Sequence, residues 1–303
     1  MIWITKWLYM KITLRQLRVF VMVADCLSYT RASEKLFMSQ PAVSKQIKQL
    51  EEAVDACLFE KVGKKIFLTE AGYEMQNYAA SILGMVADAK DHLSEIKGGN
   101  KGRLKLAAVT TASSYIINIL GKFRKLYPDV EFEFAVSNRK ALLNNLDKNL
   151  VDLVIMGLPP INTHYKVEAF MKNPLVFIAP IDHPLVGKKI SLQDLKGESF
   201  VTREKGSGTR QAMEAFFADK KQNLHIGMLF NSNESIKNAV ISGFGIALVS
   251  THTIQSELQQ KQLAVLDVED TPLERYWYLV HLKEKRLSAA VSIFKEFVLE
   301  KVE

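Results

Sequence analysis

The chain has 303 residues, 48% hydrophobic and 24% charged, the proportions of a soluble globular protein with room for two or three cores. Its formal charge of +7 permits a polyanionic partner without requiring one. No apolar run approaches the ~20 residues a membrane-spanning helix needs, and two cysteines at unrelated positions speak against a disulfide framework or a thiolate metal site. Cys26 and Cys57 are expected as buried structural thiols in a reducing cytoplasm. The opening Met-Ile-Trp-Ile-Thr-Lys-Trp-Leu-Tyr is apolar but short and lacks a small-residue cleavage site, so no signal peptide is expected and Met10 is favoured over Met1 as the natural start.

The first helix is expected from Thr13, where Thr13 and Gln16 have capping-box spacing, with Leu14, Leu17, Val21 and Ala24 as its buried stripe. Thr30 is expected to cap a second helix whose Ala32 and Leu36 face inward. Ser39 is expected to cap a third, with Pro41 in its first turn, where a missing N–H costs nothing. Along this third helix Val43, Ile47 and Leu50 recur at helical spacing, while Gln40, Ser44, Lys45 and Lys48 fall on the other side. That is the face a major-groove recognition helix needs. Glu60–Leu68 then reads as a basic hairpin, a wing, with Gly63 near its tip. Residues 11–68 carry ten Lys/Arg against six Asp/Glu.

A long helix is predicted from Thr69 to about Ile96. Ala71, Met75, Tyr78, Ile82, Met85, Ala89 and Ile96 follow a coiled-coil seam, with His92 its one polar position. At ~1.5 Å per residue this is a rod near 40 Å, too long to bury against one small domain, so Met75, Tyr78, Ile82, Met85 and Ala89 are expected to dimerise. Residues 98–103, opening Gly-Gly-Asn-Lys-Gly, form a hinge.

From Leu104 the pattern changes to alternating strands and helices. Strands are predicted at 104–109, 131–136, 153–156, 175–179, 200–202, 228–230, 246–249 and 275–281. Helices are predicted at 113–126 and 140–146, from Arg210, from Glu234 and at 288–302. The chain is expected to cross between two lobes near Leu175 and Arg275.

Three strand-to-helix junctions carry hydroxyls, amides and arginines where hydrophobes would be ordinary: Thr110, Thr111, Ser113 and Ser114; Asn138 and Arg139; and Arg203 to Arg210, with Ser207, Gly208 and Thr209 between. Such junctions offer free N–H groups and a positive dipole end, which suits an anion, and the arginines can add bidentate contacts. The Gly-Ser-Gly-Thr stretch is not a nucleotide P-loop, since no Gly-Lys-Ser/Thr follows. No Gly-x-Ser-x-Gly or His-Glu-x-x-His occurs and the six histidines are scattered, so neither catalysis nor a metal is expected.

Ser39-Gln-Pro-Ala-Val-Ser-Lys-Gln-Ile-Lys-Gln-Leu-Glu51, followed by Leu58-Phe-Glu and Leu68-Thr-Glu-Ala-Gly72, resembles the LysR-type transcriptional regulators, and the resemblance runs from Met10 onward. Where that family often has Arg, this chain has Lys45, Lys61 and Lys64; lysine keeps phosphate affinity but loses the planar fork. In the second half, Val136-Ser-Asn-Arg139, Ile155-Met-Gly-Leu-Pro-Pro160, Lys172-Asn-Pro-Leu-Val176, Asp182-His-Pro-Leu185 and Arg203–Arg210 look like the CbbR-type regulators of carbon-fixation (ribulose-bisphosphate carboxylase) operons. Regulators of sulfur or nitrogen assimilation share several of these.

The resemblance implies an α+β multidomain chain. Residues 10–68 would form a winged helix-turn-helix, 69–97 the linker helix, and 104–303 an α/β sensor resembling periplasmic binding proteins. Its two Rossmann-like lobes would comprise about 104–173 with 277–303, and about 174–276. It implies a cytoplasmic homotetramer, a dimer of dimers, acting as an activator on an inverted-repeat operator with RNA polymerase as a further partner.

Base edges would be read by Gln40, Pro41, Ser44 and Lys45 beside Ser39 and Ala42. Thr30, Arg31, Lys48, Lys64 and Lys65 would contact phosphates or the minor groove. Gly157 joins the effector set, and the effector would be a phosphorylated metabolite or nicotinamide nucleotide, with no cofactor. A solute-binding protein and an enzyme with an accessory DNA-binding domain are the rival classes.

Overall fold

The computed structural model describes residues 12–63, 65–96, 102–161 and 163–301. The leader with Met10, Lys64, residues 98–101 of the expected hinge, and the side chains of His92 and Ile96 lie outside the described residues. Two compact units result: one reaching Lys97 and taking in Asp147–Leu150, the other holding the rest.

In the first unit α1 spans Leu14–Cys26 and opens on a complete capping box: the Gln16 amide donates to Thr13 Oγ1 at 3.2 Å, and the Thr13 amide to Gln16 Oε1 at 2.7 Å. Its buried stripe is not the expected one. Leu14 is 41% exposed and Val21 half-buried, whereas Leu17, Phe20, Val23 and Ala24 are buried. The helix packs against the three helices that follow it, so its buried face is wider and centred elsewhere than a single stripe. Helix α2, Tyr29–Lys35, is capped by Ser28, which accepts from the Arg31 amide at 3.3 Å; Thr30 lies inside the first turn, correcting the expected cap. Helix α3, Gln40–Val54, is capped by Ser39, and Val43, Ile47 and Leu50 are wholly buried.

Glu51 Oε1 then accepts from the Leu58 and Phe59 amides, fixing the entry to the wing. Strands β1 (Phe59–Val62) and β2 (Lys65–Leu68) pair antiparallel around Gly63, which has a φ of +64°. Cys26 is buried, but Cys57 is exposed, contrary to expectation, because it sits in the turn ahead of β1.

Helix α4, Glu70–Ile96, is 27 residues long, a rod of about 40 Å. Thr69 Oγ1 accepts from the Gly72 amide and donates to the Cys57 carbonyl. A β-carbon on Gly72 would fall on the Leu58 carbonyl oxygen, so glycine is required for this close approach. The expected seam divides. Met75 and Ile82 pack on the unit's own core, while Tyr78 (65% exposed), Met85 (57%), Ala71 and Ala89 remain exposed, joined by Tyr73, Val86 and Leu93.

The second unit contains β3 (Arg103–Val109), α5 (Ser113–Leu126), β4 (Glu131–Ser137), α6 (Arg139–Asp147), β5 (Leu153–Met156) and β6 (Tyr165–Lys172). There follow β7 (Leu175–Pro180), β8 (Lys189–Ile190), β9 (Phe200–Arg203), α7 (Gly208–Asp219), β10 (Ile226–Phe230), α8 (Asn233–Ile241), β11 (Ala247–Ser250), α9 (Gln255–Gln259), β12 (Leu263–Val265) and β13 (Asp267–Val268). Strand β14 (Tyr276–Leu282) and α10 (Ala289–Lys301) close the chain. Arg103 is thus strand, paired with Glu131, and not part of the hinge.

Lobe I is the sheet β4-β3-β5-β14-β6, parallel across its first three strands and antiparallel at β14 and β6. Its core joins Leu106, Phe123, Ile155, Trp277 and Phe294. Lobe II is built on β11-β7-β12 with the parallel pair β9–β10 bridged to it, around Phe177, Phe200, Met213 and Phe217. The two crossings run antiparallel: the Asn173 amide donates to the Arg275 carbonyl at 2.6 Å, and the Leu175 amide to the Leu273 carbonyl at 3.0 Å.

Candidate functional sites

The first site is the exposed face of α3. Gln40, Pro41, Ser44, Lys45 and Lys48 all face solvent, Ala42 is half-buried, and Ser39 is exposed at the cap. The apolar stripe on the opposite side fixes the helix, so its amide, hydroxyl and ammonium groups are presented on one surface. Lys48 Nζ lies 3.9 Å from Glu52 with both side chains exposed, a pair too weak to hold it from another partner. Thr30 and Arg31 are exposed on α2, the Arg31 guanidinium donating to the Cys26 carbonyl, and Lys65 is exposed on β2. Lys64 lies outside the described residues. Two short helices, an exposed polar helix face and a hairpin form a unit shaped to enter a DNA groove.

The second site is a cleft in the second unit of about 440 Å³, its open mouth included. Strands β3, β4 and β5 bring their C-terminal ends to one edge, where open α/β sheets place ligands. Thr110, Thr111, Asn138, Arg139 and Gly157 line the cleft from lobe I; Arg203, Ser207, Gly208 and Thr209 line it from lobe II. Ser113, Ser114 and Arg210 are not in the lining. Ser113 Oγ turns back to the Thr110 carbonyl at 2.9 Å. Ala112, before α5, and Ser207, before α7, make no side-chain cap, so these first turns keep amide hydrogens unclaimed by a side chain, whereas Asn138 Oδ1 accepts from Ala141 ahead of α6.

Charge is arranged differently from the expected arginine trio. Arg203, only 3% exposed, is held by Glu204 through contacts of 2.8 and 3.2 Å, and Arg210 by Glu214 at 2.6 Å and the Arg203 carbonyl. Both serve the framework, because a buried guanidinium needs a carboxylate partner. The charge left to the cleft belongs to Arg139 and to Arg275, which sequence reasoning missed.

Arg139 Nε donates to the Leu158 carbonyl at 2.7 Å and its Nη2 to Pro159 at 3.3 Å; Arg275 Nη2 donates to Gly157 at 3.0 Å. Burial pulls both guanidinium pKa values below the ordinary range. Tyr165 opposes the shift at Arg139; at Arg275 Tyr278 opposes it and repulsion from Arg139 adds to it. Among the described residues no carboxylate lines the cleft. Asn173 and Leu175, from the crossing, also line it and were missed. The signal available was the crossing itself: strands joining two lobes form the back wall of the space between them.

Residues 14–73 match the family described as bacterial regulatory helix-turn-helix protein, lysR family, and residues 97–303 match the LysR substrate binding domain. The chain is 48% identical over 291 residues to the RuBisCO operon transcriptional regulator of Allochromatium vinosum, covering 96% of each. It is 40% identical over 287 residues to the HTH-type transcriptional activator CmpR of Synechocystis, covering 94% of each. Among solved structures it is similar to the CcmR regulatory domain of Synechocystis PCC6803 in complex with 2-PG, with a TM-score of 0.64 and 37% identity over 67% of this chain and 98% of that one.

Proposed function

The chain belongs to the lysR family of DNA-binding transcriptional regulators, and on that premise we propose that it controls a carbon-fixation-type operon in response to a small anion held by Arg139 and Arg275. One observation carries the anion: two guanidiniums crowd the carbonyls of residues 157–159 with no carboxylate among the described residues lining the cleft to neutralise them. An anionic group relieves that repulsion and gains charge-assisted hydrogen bonds. The 2-PG held by the CcmR regulatory domain supports this reading, and the operon named for the Allochromatium regulator, with the activator role of CmpR, supports the target.

In this reading paired winged domains bind an inverted repeat. Gln40, Pro41, Ser44 and Lys45, flanked by Ser39 and Ala42, meet base edges; Thr30, Arg31, Lys48 and Lys65 meet phosphates or the minor groove. Tyr78, Met85 and Ala89 of α4 join two chains, and two dimers make a tetramer that recruits RNA polymerase in the cytoplasm. Effector binding draws the lobes toward one arrangement and shifts the population of tetramer shapes on DNA.

The test is a thermal-shift screen of the full chain against sugar phosphates, nicotinamide nucleotides and simple oxyanions, repeated with Arg275→Gln, and then a gel shift on upstream DNA of a carbon-fixation operon. Stabilisation lost in the variant and an effector-dependent shift are expected. No anion stabilising the wild type, or no specific shift at moderate salt, counts against it.

A further inference from the structure

The stretch Lys172-Asn-Pro-Leu-Val176 crosses between the lobes beside the returning segment 272–276, and the two run antiparallel. Lys172 pairs with Tyr276 and Leu175 with Leu273, a register that sets Asn173 opposite Arg275 and Pro174 opposite Glu274. Side chains alternate between the two faces of such a ribbon. Asn173, Leu175 and Arg275 line the cleft in front. Lys172, Pro174, Glu274 and Tyr276, with Pro272 and Arg275, line a second cavity behind the crossing, of about 460 Å³ with its open mouth included. That is a volume small ligands occupy. Pro174, Pro272 and the Tyr276 ring give it an apolar wall. Lys172 and Glu274 are diagonal neighbours across the ribbon, close enough for both to reach one bound molecule. Both are exposed, and among the described residues neither makes an ion pair.

We propose that the back of the crossing is a second ligand site, which takes a small zwitterion with an apolar side chain, the chemistry of an apolar amino acid. Its carboxylate meets Lys172, its ammonium meets Glu274, and its side chain lies on Pro174, Pro272 and Tyr276. One charge of each sign beside an apolar wall complements a molecule carrying the opposite pair, and a simple anion would leave Glu274 facing like charge. The site stands apart from the anion cleft and shares one lining residue with it, Arg275. A molecule seated behind the ribbon that joins the lobes biases the space in front of it, and by linkage the cleft biases the rear site to the same extent.

The test is titration calorimetry of the full chain with L-phenylalanine, 3-phenylpropionate and phenethylamine; the last two keep the ring and lack the ammonium or the carboxylate. L-Phenylalanine is expected to bind with a dissociation constant of about 1 mM or below. Each analogue should bind about fivefold more weakly, the loss of one charge-assisted hydrogen bond at an exposed site. Lys172→Gln should abolish the advantage of L-phenylalanine over phenethylamine, and Glu274→Gln its advantage over 3-phenylpropionate. Both side chains are exposed, so neither substitution threatens the fold. Arg139→Gln, which disables the cleft, should leave L-phenylalanine binding within about twofold. No binding of L-phenylalanine up to about 10 mM, equal binding of the three, or an advantage that survives both substitutions overturns the site. Binding lost in Arg139→Gln and kept in the other two variants puts the molecule in the cleft, which overturns it as well.

Discussion

Arg203 of lobe II donates from Nη1 to the Thr110 hydroxyl of lobe I at 2.8 Å, while the same nitrogen reaches Asn233 Oδ1 at 2.8 Å and Glu204 holds the other side of the guanidinium. The expected anion-binding arginine is therefore a bridge across the mouth of the cleft. Thr110→Val removes the acceptor without stranding a charge, since Arg203 keeps Glu204 and Asn233. The effector dissociation constant should rise about fivefold, the equivalent of one net hydrogen bond of about 1 kcal/mol. Calorimetry with the effector found by screening checks this; an unchanged constant means the bridge plays no part in closure.

Arg210 and Arg275 should part company. Arg210→Met breaks the contacts to Glu214 and to the Arg203 carbonyl and should lower unfolding free energy by about 1–3 kcal/mol. Arg275→Gln relieves repulsion from Arg139 and should leave stability within about 1 kcal/mol while abolishing the response to the effector. Denaturant midpoints paired with ligand titrations separate the two roles, and an Arg275 variant as unstable as the Arg210 variant would contradict the assignment.

On the DNA side, Lys48→Ala should weaken every duplex alike and reduce the slope of log affinity against log salt by about 1. Ser44→Ala should instead alter the preferred sequence. Fluorescence anisotropy at several salt concentrations reads the first effect and selection from a randomised duplex pool the second. A salt slope unchanged in Lys48→Ala removes the phosphate role.

Met85 is exposed on α4, so Met85→Glu should split dimers without unfolding the first unit. Met75→Ala, altering a side chain packed on that unit's core, should destabilise the unit by roughly 1–3 kcal/mol. Sedimentation velocity and thermal melts distinguish the outcomes. A dimer that survives Met85→Glu places the self-contact elsewhere.

His281 is buried with Nδ1 at 2.9 Å from the Leu282 carbonyl, and its pKa is pushed below the ordinary value by burial and by Lys295 and Lys166, against the pull of that carbonyl and Glu168. The unfolded chain therefore takes up a proton at a higher pH than the folded one does. Stability should fall as pH drops below about 6.5, by at most about 1.4 kcal/mol per pH unit for this one proton. His281→Gln should flatten the slope between pH 5 and 6.5 in denaturant melts; a slope as steep as wild type assigns the effect to another group.

The recognition helix was legible because cap, proline and apolar spacing all occur within one stretch of chain, as did the parallel strands with their junctions. Strand β6 was not legible: it is an edge strand whose Lys166, Glu168 and Lys172 mask any apolar alternation. The buried stripe of α1 was not legible because it depends on three neighbouring helices. Arg203 and Arg210 looked available; Glu214, four residues on from Arg210 along one helix, stands at a spacing that signals pairing, whereas the contact between the sequence neighbours Arg203 and Glu204 carries no such signal. Arg275 and Asn173 enter the cleft only through the crossing of two segments about a hundred residues apart, which no local pattern reveals.

The tight approach of Gly72 to the Leu58 carbonyl, with Thr69 tied to Cys57, leaves no slack between α4 and the wing. The long helix and the reading helix thus move as one lever. In the proposed dimer, any change in the angle at which two such levers cross would become a change in the distance between two reading heads. Half-site spacing on the operator would then gauge the pose of the rods, and a duplex with one base pair inserted between half-sites would favour a different pose without altering any base that is touched.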